Sequence, residues 1–322
     1  MTNRVLVTGA TGFVGRALCE VLDASGYQVR AALRGPRPLP AGVADSAIVG
    51  DIGTGTLWER ALANVDLVMH LASPVHRSWR TTSEGELYAA NAWGTRRLAA
   101  AAAASGVRRF VYVSTVKVNG EGSAAGPYTA QDEPHPEDVY GSSKWLGEKF
   151  LLEEAAGSRL EAVIVRPPLV YGPGVRANFL RLLRWVDRGW PIPLASVSNR
   201  RSLVGVWNLC DLLLLLLTHA AAPGRVWLVS DGVDRSTPDL IRQIGRAMGR
   251  PARLVPAPLG LLRIGAGLAG RAAELRRLCG TLQVDITQTC RELAWAPPVA
   301  AEEGVARTVR WYLATKGTDG HP

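Results

Sequence analysis

The stretch Val5-Leu6-Val7-Thr8-Gly9-Ala10-Thr11-Gly12-Phe13-Val14-Gly15 decides the fold of this 322-residue chain. Three consecutive apolar residues read as a buried strand. From Gly12 to Ser25, Val14, Leu18, Val21 and Leu22 recur on one face of a helix. Gly9, Gly12 and Gly15 stand at the junction. A tight turn there needs a residue without a Cβ, a second glycine lets the backbone approach a pyrophosphate, and a third permits close packing of helix on strand. The free N–H groups at the helix start then face the anion. The spacing G-x-x-G-x-x-G is one residue wider than the general dinucleotide pattern, and no Lys-Ser/Thr ending marks an ATP-binding phosphate loop. An ordinary Gly-rich turn is the competing reading, and the position between strand and helix argues against it.

Further along, Val29–Leu33, Ala47–Val49, Asp66–Leu71, Phe110–Val113 and Ala162–Val165 are short apolar runs, with helical patterns over 91–105 and 140–156. Continuous apolar strands alternating with helices predict an α/β fold, a doubly wound parallel sheet covered on both faces. After Pro167-Pro168 the texture becomes rich in proline and arginine. We expect residues 1–172, with about 201–230 returning to the sheet, to form a dinucleotide-binding domain. Residues 173–200 and 231–322 would form a smaller, interleaved C-terminal substrate domain.

With 47% hydrophobic and 20% charged residues the chain is globular in composition, which excludes disorder, collagen and coiled coil. The net charge of +9 rests almost wholly on arginine, the lysines being Lys117, Lys144, Lys149 and Lys316. No run of five or six basic residues occurs, so anionic small ligands are expected rather than nucleic acid. Cys19, Cys210, Cys279 and Cys290 are far apart, which fits reduced thiols in the cytoplasm, with no disulfide framework and no metal site. The N-terminus enters a strand at once, without a leader pattern. The six leucines 212–217 fall far short of the ~20 apolar residues of a spanning helix, so no integral membrane segment is expected.

About 20 residues beyond the glycines, where an acid usually binds the ribose hydroxyls, Val29-Arg30-Ala31-Ala32-Leu33-Arg34 has no carboxylate. A guanidinium at Arg34 suits a 2′-phosphate, so NADP(H) is expected over NAD(H), with NAD(H) possible; a solvated loop arginine is the alternative. Tyr140-Gly-Ser-Ser-Lys144 opens a helix and puts phenol and ammonium on one face. A free tyrosine titrates at about 10, and a nearby cation lowers that value. The pair follows the fifth strand, 25 residues beyond Thr115 at that strand's end.

These segments occur in order with Asp51-Ile52, His70-Leu71-Ala72-Ser73, Asn91-Ala-Trp-Gly-Thr95 and Arg166-Pro-Pro-Leu-Val-Tyr-Gly-Pro-Gly174. The combination resembles the extended short-chain dehydrogenase/reductase superfamily, in its nucleotide-sugar epimerase/dehydratase/reductase branch, over nearly the whole chain. The resemblance implies a Rossmann sheet and roles for matching positions. Thr115 would hydrogen-bond the reacting sugar oxygen, Tyr140 would give or take the proton, and Lys144 would hold the nicotinamide ribose and tune Tyr140. Gly9, Thr11, Gly12, Phe13, Val14 and Gly15 would meet the cofactor phosphates, and Asp51 the adenine with Ile52 beside it. Leu71, Ala72 and Ser73 would line the cofactor channel, Asn91 would lie near the nicotinamide half, and Pro167 near its amide. Asn91 also reads as a helix-terminal hydrogen bonder, and His70 and Trp93 as packing residues. Asn178, Arg201 and Arg276 (or its neighbour Arg277) would bind the substrate diphosphate.

The reaction expected is NADP(H)-dependent reduction at C4 of a UDP-linked 2-acetamido hexose, a 4-keto-sugar reductase of surface-polysaccharide assembly. The alternative is an NAD-dependent 4-epimerase of a UDP-linked or lipid-linked sugar, using the same residues. A dehydratase fits less well, because Val116-Lys117 stand where that branch places an Asp-Glu pair. A cofactor-binding sensor without chemistry would tend to lose the Tyr/Lys pair. The resemblance further implies a homodimer through the helices around 91–105 and 140–154, where the alanines 99–104 suit close packing. The apolar segment Pro256–Arg271 admits contact with a lipid-linked sugar or a membrane surface; a buried helix is the simpler reading.

Overall fold

Val5, Leu6 and Val7 lie fully buried in strand β1 (Arg4–Thr8), as an uninterrupted apolar run requires. The computed structural model describes residues 3–74, 83–123 and 125–316. Helix α1 (Phe13–Ala24) follows the glycine loop and leads to β2 (Gln28–Leu33) and β3 (Asp45–Ile48). The short α2 (Glu59–Leu62) precedes β4 (Leu67–His70). Helix α3 (Glu84–Tyr88) runs through a π-helical turn, Ala89–Trp93, into α4 (Gly94–Ala104). Strand β5 (Arg109–Val113), helix α5 (Val139–Ala156) and strand β6 (Glu161–Arg166) complete the first half. Then come β7 (Leu169–Tyr171), α6 (Ala177–Asp187), β8 (Leu203–Gly205), α7 (Val206–Leu216) and β9 (Arg225–Leu228). The chain ends in α8 (Thr237–Ala247), α9 (Leu259–Leu268), α10 (Ala272–Cys279), α11 (Thr287–Glu292) and α12 (Ala301–Thr315).

Among the described residues the main sheet has the order β3-β2-β1-β4-β5-β6-β9, and every pair is parallel. The strand order reverses between β1 and β4, opening a crevice at the ends of Thr8 and His70, which are register partners. Leu18, Leu22, Leu209 and Leu213 of α1 and α7 cover one face. Trp58, Leu98, Ala102 and Leu151, from the α2 region, α4 and α5, cover the other. The expected doubly wound parallel sheet is therefore present. Beside it, the parallel pair β7-β8 packs with α6, α8 and α12 around Phe179, Leu183, Ile241, Ile244 and Val309.

One expectation is overturned. Helix α9 is not a buried helix: no residue of it is buried, because only Leu259 and Leu262 lean on the core beside it.

Two buried polar clusters hold the crevice. His70 is fully buried, with Thr8 Oγ1 2.7 Å from Nδ1 and Thr95 Oγ1 3.0 Å from Nε2. The Thr95 hydroxyl donates to the Asn91 carbonyl (2.7 Å), so it accepts from Nε2–H, and Nδ1 accepts from Thr8. His70 is thus a packing residue, neutral in the fold. Beneath the end of β5, Arg166 Nε donates to Glu148 Oε1 (3.0 Å) and its Nη1 to Asn119 Oδ1 (3.1 Å), all three residues being buried. The Ser114 hydroxyl donates to the same carboxylate.

Burial, assisted by the Lys144 cation, lowers the His70 pKa from 6.5 to about 3. The folded state therefore takes this proton less readily than the unfolded chain, and stability is lost as pH falls from about 6.5 towards 3. Urea unfolding across that range is expected to show a His70 slope approaching about 1.4 kcal/mol per pH unit, absent in His70→Gln. Arg166→Met, which strands the Glu148 carboxylate, is expected to cost about 3–5 kcal/mol. The double variant Arg166→Met/Glu148→Leu should lose much less in the same measurement.

Candidate active site

At the mouth of the crevice Gly9 has φ +72°, and a Cβ there would sit 2.9 Å from the Ala72 nitrogen. Gly12 caps α1 and donates its N–H to the Gly9 carbonyl (2.9 Å). A Cβ on Gly15 would meet that carbonyl at 2.1 Å. The loop is thus pressed onto the helix start, whose first turn carries no acidic residue. A cradle of this shape and polarity fits a dinucleotide pyrophosphate. Phe13 packs partly into the cores on either side, against the ring of which Gly174 lies close, and Val14 leans on the first core. Thr11 Oγ1 accepts from Arg37 Nη1 (3.4 Å), and Thr11 O from Arg16 Nε (3.1 Å). Sequence reading passed over both arginines, since single surface arginines carry no spacing signal.

Arg34 does not stand free at the end of β2. Its Nε donates to Asp51 Oδ1 at 3.1 Å, both side chains being exposed. The guanidinium that was expected to clamp a 2′-phosphate already shares its charge with the carboxylate expected at the adenine. Ile52 packs towards Gly94, where a Cβ would come within 2.5 Å of its Cγ2. Leu71 leans on the first core, and Ala72 N–H donates to Thr8 Oγ1 (3.1 Å). Pro167 is buried, its carbonyl accepting from Val116 N (3.0 Å).

Asn91 sits in the π-helical turn, fully buried. Its Oδ1 accepts from Ser73 Oγ (2.9 Å), and its Nδ2 donates to Ser143 Oγ (3.0 Å), which donates to the Tyr140 carbonyl (2.9 Å). Its side-chain amide is therefore occupied within the protein and positions Ser73 and the first turn of α5. Asp138 caps that helix, accepting from Gly141 N (2.7 Å).

Tyr140 is half-buried, and burial pushes its phenol up to about 12, with the Asp138 carboxylate adding to the rise. Lys144 is buried, and desolvation lowers its ammonium to about 7 against the pull of Glu148. Its Nζ donates to the Val113 carbonyl (2.7 Å) and lies 4.0 Å from the Tyr112 ring centroid. Lys144 is thus tied to the end of β5, and the Ser73 proton to Asn91 Oδ1.

Thr115, which begins the short turn after β5, shares with Tyr140 a cavity of about 390 Å³. Asn178 and Arg201 line the same cavity. Arg276 does not; the adjacent Arg277 does, because successive helical side chains point about 100° apart. Arg235, Lys117 and Glu121 also line it and were not singled out from the sequence. Arg201 donates to the Gly280 carbonyl (2.9 Å), and its pKa is lowered by burial and by the neighbouring Arg277 cation. Lys117 pairs with Glu121 and Asp138, and Arg277 lies 3.7 and 3.9 Å from the same two carboxylates. Glu121, a carboxylate in the cavity wall, is held by these two cations.

A glycine cradle at the switch point, with a phenol, a lysine and a small hydroxyl beyond it, defines a nicotinamide-dinucleotide enzyme of the short-chain dehydrogenase type. Residues 5–230 match the NAD dependent epimerase/dehydratase family, and the chain belongs to it. It is 41% identical to a UDP-glucose 4-epimerase of Vibrio cholerae over 97% of this chain and 96% of that protein. It is 27% identical to an N-acetyl-alpha-D-glucosaminyl-diphospho-ditrans,octacis-undecaprenol 4-epimerase of Escherichia coli, over 97% and 96%. The solved structure of MoeE5 in complex with UDP-glucose and NAD is similar with a TM-score of 0.78 at 28% identity, covering 97% of this chain and 99% of that one.

Gly15→Ala drives a methyl into the Gly9 carbonyl. It is expected to weaken dinucleotide affinity by about tenfold or more, read by titration calorimetry, since it displaces the cradle itself.

Proposed function

We propose that this protein is an NAD-dependent 4-epimerase of a UDP-linked hexose. The observation that carries the reading is the shared cavity: Thr115 and Tyr140 line it together with Asn178, Arg201 and Arg277, so one ligand can meet the acid–base pair and a cationic diphosphate site at once. The 41% identity to a UDP-glucose 4-epimerase supports it. So does the NAD in the MoeE5 complex. The reductase expectation leaned on Arg34 as a 2′-phosphate clamp, and its pairing with Asp51 removes that support.

In this reading NAD, held over the Gly9–Gly15 loop, supplies reversible hydride transfer at C4. Tyr140 takes the proton from the C4 hydroxyl and returns it to the C4 oxygen, while Thr115 hydrogen-bonds that oxygen. Because burial pushes the resting phenol up to about 12, the phenolate depends on positive charge arriving beside it; the Lys144 ammonium contributes from the protein side. Asn178, Arg201 and Arg277 hold the diphosphate while the sugar presents either face. Residues 1–172 with 201–230 would hold the dinucleotide, and 173–200 with 231–322 the substrate.

We also propose a homodimer through α4 and α5, supported by the exposure of Leu152 (40%) on α5 and of Trp93 (42%) at the turn just before α4. A cytoplasmic location is in keeping with four free cysteines; no described helix is long and apolar enough to cross a membrane.

The test is incubation with NAD and a panel of UDP-hexoses and UDP-N-acetylhexosamines, following product configuration by NMR and the reduced-nicotinamide absorbance. Interconversion without net change in cofactor is expected. Stoichiometric consumption of reduced cofactor with a 4-keto sugar would restore the reductase. Tyr140→Phe is expected to lower kcat by about 10²- to 10⁴-fold with the fold intact.

A further inference from the structure

Helix α9 carries an apolar stripe that no described residue covers. Leu261, Ile264 and Leu268, three and four residues apart, share one side of the helix and are 66%, 62% and 87% exposed. Leu259 and Leu262 lean the other way, on the core around Phe179 and Ile241. A Cβ at Gly260, Gly265 or Gly267 would meet nothing within 4 Å, so the backbone beside the stripe is open as well.

Further exposed apolar side chains lie on the segments next to the helix. Val255, on the segment leading into α9, is 38% exposed. That segment is hydrogen-bonded to the turn after α6, with Ile192 N donating to Arg253 O (2.8 Å) and Ala195 N to Val255 O (3.1 Å). The same turn carries Trp190, 56% exposed, with the Arg188 guanidinium 4.9 Å from its ring centroid.

The charge around this surface is predominantly positive; Asp187, just before the Trp190 turn, is already paired with Arg250 and Lys316. Residues 246–280 hold seven arginines against a single carboxylate, Glu274. Glu274 is already paired with Arg181 and Arg271. Arg246, Arg253 and Arg263 are exposed and enter no ion pair among the described residues. Two copies meeting through this face would bring like charges together, at a cost. An anionic lipid surface meets both features: the acyl boundary takes up the leucine and isoleucine side chains, the phosphates meet the arginines, and a tryptophan suits the headgroup level.

We propose that α9 and the Trp190 turn form a docking surface for an anionic phospholipid bilayer, with the helix lying in the plane of the interface. The proposal rests on this surface and not on the sugar chemistry. It has a consequence for access, because α10 packs on α9 and contributes Arg277 and Leu278 to the cavity wall.

The experiment is co-sedimentation of the full chain with vesicles of phosphatidylcholine alone and of phosphatidylcholine rich in phosphatidylglycerol, at low and high salt. Binding is expected on the anionic vesicles only, weakening as salt rises. Ile264→Asp/Leu268→Asp should reduce the bound fraction about tenfold or more, with dinucleotide affinity and thermal unfolding unchanged. Leu268→Ser, at a site almost wholly in solvent, gives the same readout in smaller measure and carries no folding risk. Absence of binding to anionic vesicles, or binding undiminished in both variants, would overturn the proposal. So would lipid-free self-association abolished by these variants, which would assign the stripe to a second copy.

Discussion

The backbone carbonyl of Asn91 accepts hydrogen bonds from Thr95 Oγ1 (2.7 Å) and Tyr112 OH (3.0 Å), and this buried joint ties the crevice together. The Asn91 carbonyl, within the π-helical turn, thus serves two hydroxyls at once. Through Thr95 the joint reaches His70 and Thr8 at the phosphate loop. Through its side-chain amide it reaches Ser73 and Ser143, and so Tyr140. Helix α5 comes close enough only because residue 147 is glycine, where a Cβ would lie 2.2 Å from the Asn91 carbonyl. A chain of satisfied, buried polar groups cannot be stretched without stranding one of them. Loop and phenol are therefore held in fixed relation across more than 130 residues of sequence.

Beyond the joint, the site combines desolvation with an excess of positive charge. Lys144 is kept dry against Tyr112, with a backbone carbonyl as its acceptor and Glu148 as its counter-charge. Glu148 itself is claimed by Arg166 and Ser114. The ammonium is thus anchored rather than committed to the phenol. Across the cavity, Lys117, Glu121, Asp138 and Arg277 neutralise one another, and Arg201 remains with a carbonyl as partner. An arginine lowered in pKa by a neighbouring arginine is a group whose charge an anion would relieve.

Much of this was legible from local pattern. The glycine spacing, the apolar strands and the Tyr140/Lys144 interval lead to a parallel sheet with a nicotinamide site at its switch point, and the structure has that sheet. The errors fall where side chains meet partners distant in sequence. Arg34 read as free because Asp51, 17 residues on, lies on the far side of β3 in the chain and beside Arg34 only in the fold. The choice between Arg276 and Arg277 stayed open in the sequence because one residue of helical phase decides which faces the cavity. The burial of Pro256–Arg271 was expected from its hydrophobicity alone, and hydrophobicity does not say whether a neighbour exists to cover it.

By itself, then, the sequence determined the first six strands of the parallel sheet, the glycine loop and the residue types of the acid–base trio. Each of these is written in intervals of a few residues that backbone geometry converts directly into position. Only the tertiary structure decided which cations are already paired, which hydroxyls the Asn91 side chain holds, and which apolar helix face is left in solvent. Those outcomes depend on contacts between segments tens to hundreds of residues apart, where electrostatic partnership and burial are properties of the packed whole and leave no local spacing to read.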